Sequence, residues 1–131
     1  MATKRQKALR AKLVEALRSG NHKQGKHRLT SITKRGEELD CCLGVACKVL
    51  GLKGRVESIR PEEQGRTVAK RVYGSRGEAA VLPKTVQEAF GFRTVKGEYM
   101  GGSLVADNDE GRTFKQIAKT IESEPRGLFE S

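Results

Sequence analysis

Apolar positions along the chain follow several distinct rhythms. From Thr3 to Ser19, Ala8, Leu9, Leu13, Ala16 and Leu17 recur at spacings of three and four. That is the stripe of an amphipathic helix, and its other faces are basic. Gly20 supplies a stop, because glycine accepts the left-handed conformation that ends many helices. Residues Asn21 to Arg28 contain no apolar side chain and read as an exposed basic loop. Arg28-Leu29-Thr30-Ser31-Ile32-Thr33 then alternates loosely, and Lys34-Arg35-Gly36-Glu37 reads as a turn, so a short strand or hairpin is expected over 28–41. Cys41 to Leu50 is small or apolar on every face except at Lys48, which predicts a buried central helix with Asp40 as its N-cap and Gly51 closing it.

The second half is punctuated more often. Arg55–Arg60 and Arg66–Tyr73, separated by Pro61-Glu62-Glu63-Gln64-Gly65, predict a hairpin with one solvated face, followed by a glycine-rich connection over 74–78. Val81 to Gly91 predicts a short helix with Pro83 in its first turn and Leu82, Val86, Ala89 and Phe90 turned inward. Lys96-Gly97 reads as a turn and Gly101-Gly102 as a break, and Ser103-Leu104-Val105-Ala106 starts another short helix. Thr113 to Gln116 fits a capping box, and Phe114, Ile117, Ala118 and Ile121 follow at helical spacing up to Pro125. These elements give one small α+β domain over residues 1–131: a basic N-terminal helix, a central buried helix, a small antiparallel sheet and short C-terminal helices.

Composition narrows the class. The 131 residues suit one hydrophobic core, and 36% hydrophobic residues is lean but adequate. No run approaches the ~18 apolar residues of a membrane span, and no apolar stretch follows the N-terminal charges, so a cytoplasmic protein without a secretory signal is expected. Three cysteines, two of them adjacent, form no disulfide framework and fit a reducing compartment.

The net charge of +10 sits in one place. Residues 1–35 hold eleven basic residues against the single acid Glu15, leaving fifteen basic and fifteen acidic residues in the net-neutral body over 36–131. Such an asymmetry attracts phosphate-rich partners. Lys4, Arg5, Lys7, Lys12, Lys23, Lys26 and Arg28 are the candidates to supply charge to a ligand, and His22 or His27 to supply hydrogen bonds. Aromatic residues for stacking are few: Tyr73, Tyr99, Phe92 and Phe129 all lie outside the basic segment.

Cys41 and Cys42 fall at the start of a helix, where the dipole can lower a thiol pKa, and with His22 or His27 as base and Asp107 or Asn108 as orienting group a cysteine hydrolase can be drawn. The competing reading is packing, since an unpaired cysteine is among the most often buried residues. The cysteine spacings do not match zinc sites. Asp107-Asn108-Asp109-Glu110-Gly111 opens like a calcium loop, but Gly111 and Ala118 fall where oxygen ligands belong. That stretch reads as a polar turn between helices, with Asn108 and Asp109 as candidates to line a ligand site. Neither a metal nor a cofactor is expected.

Four blocks carry a resemblance: Ala16-Leu17-Arg18-Ser19-Gly20 with Gln24-Gly25; Cys41-Cys42-Leu43-Gly44-Val45; Leu82-Pro83 through Gly91; and Ser103-Leu104 through Asn108-Asp109, Gly111, Phe114 and Ile117-Ala118. Together they resemble a family of small accessory proteins of tailed bacteriophages and prophages. Asp40 stands where that pattern has an aromatic, and Asp107 where it has leucine. The resemblance carries no assigned activity. It implies a protein of the infected bacterial cytoplasm, and the expected function is non-enzymatic binding of nucleic acid or a nucleotide immune signal to counter host defence. The alternatives are a protein-protein inhibitor docking its basic face on a host or CRISPR effector complex, and a cysteine-dependent enzyme.

Overall fold

Helix α1 (Lys4–Ser19) is fixed at both ends by its own sequence. The Thr3 hydroxyl accepts from the Gln6 amide while the Gln6 side chain accepts from the Thr3 amide, and Gly20 ends the helix in the left-handed region. The chain is described by a computed structural model over residues 1–59 and 66–130. It then forms β1 (Lys23–Gln24), β2 (Thr30–Thr33), β3 (Glu38–Asp40), α2 (Cys42–Val49), β4 (Arg55–Ser58) and β5 (Thr67–Val72). After these come α3 (Lys84–Phe90), the two-stranded β6 (Glu98–Tyr99) and β7 (Gly102–Ser103), α4 (Leu104–Asp109) and α5 (Phe114–Ser123). The architecture is α+β, as the pattern predicts.

The five-stranded sheet has the order β1-β3-β2-β5-β4. Both expected hairpins form: β2 pairs antiparallel with β3, and β4 with β5. The connection Pro61–Gly65 lies outside the described residues. The sheet is mixed, not purely antiparallel, because the segment read as a loop contributes β1, which runs parallel to β3. Gly25 makes this pairing sterically feasible: a Cβ there would lie 2.8 Å from the Leu39 Cβ. Its amide donates to the Asp40 carbonyl at 2.7 Å.

One residue separates the expected from the observed start of α2. Asp40 ends β3 and pairs with Thr30 and Gln24, so it is already committed to the sheet. The N-cap is Cys41, whose extended backbone turns the chain and whose Sγ accepts from the Gly44 amide at 3.4 Å. Likewise Pro83 precedes α3 as its N-cap, and Asp107, Asn108 and Asp109 belong to α4 instead of a turn. Gly101, read as a break, makes the turn of the β6–β7 hairpin at φ 104°.

The core forms around α2. Leu43, Val45, Ala46 and Cys47 are fully buried, α1 packs on α2, α3 and α5, and α4 packs on α2 and α5. Leu13 and Leu17 of α1, Val86 and Phe90 of α3, and Ile117 and Ile121 of α5 complete it. Each such side chain contributes about 2 kcal/mol on leaving water. Tyr73 and Leu29 bring in the sheet side. The closest approach lies at Gly44, where an added Cβ would sit 1.8 Å from the backbone oxygen of Leu29.

No flexible side chain can yield there, because the obstacle is backbone. Gly44→Ala is therefore expected to destabilise the fold by about 3 kcal/mol, the upper end for overpacking, seen as a lowered urea-unfolding midpoint. An unchanged midpoint would contradict the close packing of α2 on Leu29.

Candidate functional site

The start of α2 is the most heavily tied point of the molecule. Asn108 of α4 is fully buried. Its Oδ1 accepts from the Cys42 amide at 3.1 Å and from the Gln24 side chain at 3.0 Å, and its Nδ2 donates to the Gly25 carbonyl at 2.8 Å. One of the free backbone donors of the helix's first turn is thus satisfied from another element. Gln24 Nε2 also donates to the Arg112 carbonyl at 2.7 Å. Asn108 is therefore a structural staple and not a ligand contact. Residues 21–28 form a fastened strap across the edge of the sheet.

Beside it the structure brings together two residues of the hypothetical cysteine site, Cys41 and His27, with Asp109 in place of the expected Asp107 or Asn108. His27 has φ 70°, its backbone amide donates to Asp109 Oδ1 at 2.8 Å, and its Nδ1 lies 3.5 Å from Asp109 Oδ2. His27, Asp109 and Cys41 line a hollow of about 200 Å³ with Lys96 and Val105. The carboxylate beside the histidine is thus Asp109. Asp107 instead accepts from the Tyr99 hydroxyl. The thiols are nonetheless poorly prepared for attack. Burial pushes Cys41 up to about 12, against the opposing pull of the Gly44 and Leu43 amides, and Asp109 and Asp40 push it further. Burial raises Cys42 and Cys47 as well. A thiol held protonated at neutral pH is a poor nucleophile, so these cysteines have the chemistry of packed side chains.

Asp40 organises the other side of the strap. Its carboxylate is buried, and Oδ1 accepts from the Thr30 hydroxyl at 2.6 Å, which in turn accepts from Tyr73 Oη at 2.8 Å. Oδ2 accepts from Lys48 Nζ at 3.0 Å and faces His22 Nδ1 at 3.4 Å. Lys48 also donates to Glu38 at 2.8 Å, and Glu38 accepts from Arg71 at 2.7 Å. Arg71 and Lys48 hold the Glu38 carboxyl below its ordinary value against the opposing effect of burial. Burial works against the Lys48 ammonium, but Glu38 and Asp40 outweigh it and raise its pKa.

The remaining candidates are surface cations. Lys4, Arg5, Lys7 and Lys12 lie along α1 and Lys26 on the strap; all are exposed, and among the described residues none pairs with a carboxylate. Arg28 is half-buried and likewise unpaired, and Lys34 and Arg35 extend the exposed set into the β2–β3 turn. Lys23 is held by Glu37, and Arg18 by Glu122 at 2.9 Å. A hollow lined by Lys12, Glu15, Asn21 and His22 adjoins one lined by Asn21, His22, Lys23, Lys48 and the carboxylates of Glu37, Glu38 and Asp40 that pair with these two lysines. The surface from mid-α1 to the β1 edge is therefore one continuous trough.

Arg10 is the residue that sequence reasoning missed. It is buried, its Nε donates to the Phe90 carbonyl at the end of α3 at 2.7 Å, and its guanidinium lies 3.6 Å from the centre of the Phe129 ring. A cation there complements the helix C-terminus. The available signal was its phase: Arg10 stands three, four and seven residues before Leu13, Val14 and Leu17, on the buried side of the stripe.

Among the described residues, no group of three or more His, Cys, Asp or Glu side chains is placed to hold a metal ion, and no helix is long and apolar enough to cross a membrane. A family described as a domain of unknown function, DUF8296, matches residues 5–125, and the chain belongs to it. No curated protein and no solved structure matches the chain.

Two expectations follow. With a thiol reagent at pH 8, the three cysteines of the native protein should react at least a hundredfold more slowly than in urea; rapid native labelling of Cys41 would restore the nucleophile reading. Glu38, with its folded pKa below the ordinary 4.5, contributes stability that is present above that value and lost as pH falls through the folded value. Glu38→Gln should therefore cost about 1–2 kcal/mol at pH 7, with the difference from wild type shrinking by pH 3 in urea titrations. A difference that does not change with pH would contradict the ion-pair network.

Proposed function

We propose that this member of a family without an assigned activity is a non-enzymatic binder of phosphate-rich ligands, principally nucleic acid. The contact surface is the exposed face of α1 together with the strap that follows it. One observation carries the reading: Lys4, Arg5, Lys7, Lys12 and Lys26 are exposed and free of carboxylate partners among the described residues, on a segment whose only acid is Glu15. Neutralising phosphates with such cations releases condensed counterions, which drives association without requiring a shaped pocket. His22 and His27 stand beside the trough and the strap with one ring nitrogen toward Asp40 and Asp109 respectively. Each keeps its second ring nitrogen for a ligand.

The aromatic residues give the mode of recognition. Tyr73 and Phe92 are buried and Phe129 is stacked on Phe92, so these rings do not form an exposed platform for bases. The contacts are to backbone phosphate, and the reading is of sequence-independent binding. In a phage, as the resemblance implies, such binding would serve to occupy host nucleic acid or a nucleotide immune signal.

Fluorescence anisotropy with a labelled duplex and a single strand of the same sequence tests this directly. For four phosphate contacts on duplex, affinity should fall roughly a hundredfold between about 50 and 200 mM salt. Replacing Lys4, Lys7 and Lys12 together by Gln should weaken binding and flatten the salt dependence by roughly two to three units of slope, with the urea midpoint unchanged. No binding at low salt, or affinity indifferent to salt, rejects the proposal. A protein retained from nuclease-treated lysate by the wild type but not by the triple variant would then assign the face to an acidic protein partner.

A further inference from the structure

A hollow of about 810 Å³ lies between α1 and α5, away from the strap, with Ala11, Val14 and Ile121 along its apolar wall. It runs into a second hollow of about 420 Å³, and the two share Lys7, Arg10, Glu124 and Phe129. The second adds Arg126 and Glu130, and the first adds Glu15 and the paired Arg18 and Glu122, so the apolar wall meets a cluster of Lys7, Arg10 and Arg126 that has Glu124 and Glu130 beside it. Volumes of this size fall in the range of small-molecule sites.

Arg10 stands at the junction of the two arms, and its hydrogen bonding is incomplete. Of its five N–H donors, that of Nε is bonded, to the Phe90 carbonyl. Nη2 is buried without a partner, and Nη1 lies 3.6 Å from a Glu124 carboxylate whose side chain is 66% exposed. Burial lowers the Arg10 pKa, with Glu124 opposing only in part. A guanidinium set this deeply against Phe129, with only a loose and solvated counter-ion, is poorly compensated for the water it has lost. It is also rigid, because Phe90, Phe129 and the backbone of Gly91 surround it; an added Cβ at Gly91 would lie 2.5 Å from Nη2.

We infer that this cleft binds a small amphiphilic anion: a carboxylate or phosphate monoester seated between Lys7, Arg10 and Arg126, with an apolar chain laid along Ala11, Val14 and Ile121. The pre-set guanidinium gives the anionic group a fixed, charge-assisted partner and takes over from the loose contact with Glu124. The apolar arm supplies area that a bare anion cannot use. The inference stands apart from nucleic-acid binding, which uses the outer face of α1 and shares only Lys7 with this cleft.

Calorimetric titration of the whole chain with decanoate, decanol and inorganic phosphate tests it. Decanoate should bind at least tenfold more tightly than either of the others, since one lacks the charge and the other the chain. Ala11 is exposed, so Ala11→Phe should keep the fold, checked by an unchanged urea midpoint, while filling the apolar arm and weakening decanoate at least tenfold. Arg10→Met, if it folds, should bring decanoate and decanol to equal affinity. The inference fails if decanol matches decanoate on the wild type, if Ala11→Phe binds decanoate as before, or if neither decanoate nor dodecyl phosphate binds at about 1 mM. Ala11→Phe leaves every cation in place, so its oligonucleotide affinity should not move, and failure of one reading is distinguishable from failure of the other.

Discussion

The buried amide of Asn108 is the interaction on which the rest depends. A helix sunk in the core on all sides has no water to receive the free amides of its first turn, and an orphaned donor there costs about 1–3 kcal/mol. Cys41 covers one of these donors through its sulfur and Asn108 covers another, while the remaining Asn108 groups hold Gln24 and Gly25. A single side chain thereby joins the start of α2, the C-terminal half of α4 and the strap, and β1 can be drawn alongside β3. The same fastening sets His27 over Asp109 and keeps Cys41 at the floor of its hollow. The fastening that caps the helix from a distance is thus also what brings His27, Asp109 and Cys41 together.

Local signals were legible and tertiary ones were not. The capping box at Thr113 involves residues three apart and can be read directly, and so can the apolar run of α2. Asp40 shows the limit. An aspartate ahead of an apolar run is a strong cap signal, but the strand that ends at Asp40 claims its backbone, and Thr30, Lys48 and His22 claim its carboxylate. The cap therefore moves on by one residue to a cysteine, a residue with little propensity for the role. Parallel pairing of β1 has no local signature at all, because it depends on a partner sixteen residues away.

The charged residues divide into two populations that composition alone could not separate. Glu38, Asp40, Lys48 and Arg71 neutralise one another in a partly buried chain that ties β3, α2 and β5 together. At Asp40 this network supplies the buried carboxylate with polar partners on both oxygens. Among the described residues, Lys4, Arg5, Lys7, Lys12 and Lys26 have no such partners and keep their field for solvent or a ligand, whereas Arg18 and Lys23 are paired at the surface. Arg10 belongs to neither population: it sits in the core like an apolar residue and keeps its charge.

The packing of α1 on α5 has a consequence for how the fold is reached. The Arg18–Glu122 pair closes a separation of 104 residues, and Leu13 and Leu17 find Ile121 only when the last helix is in place. The first helix also packs on α2 and α3, so α5 covers one remaining side of its stripe. Contacts of such separation slow the folding of a small domain. Because α1 precedes α5 in the chain, the basic helix is synthesised before the helix that closes this side of it.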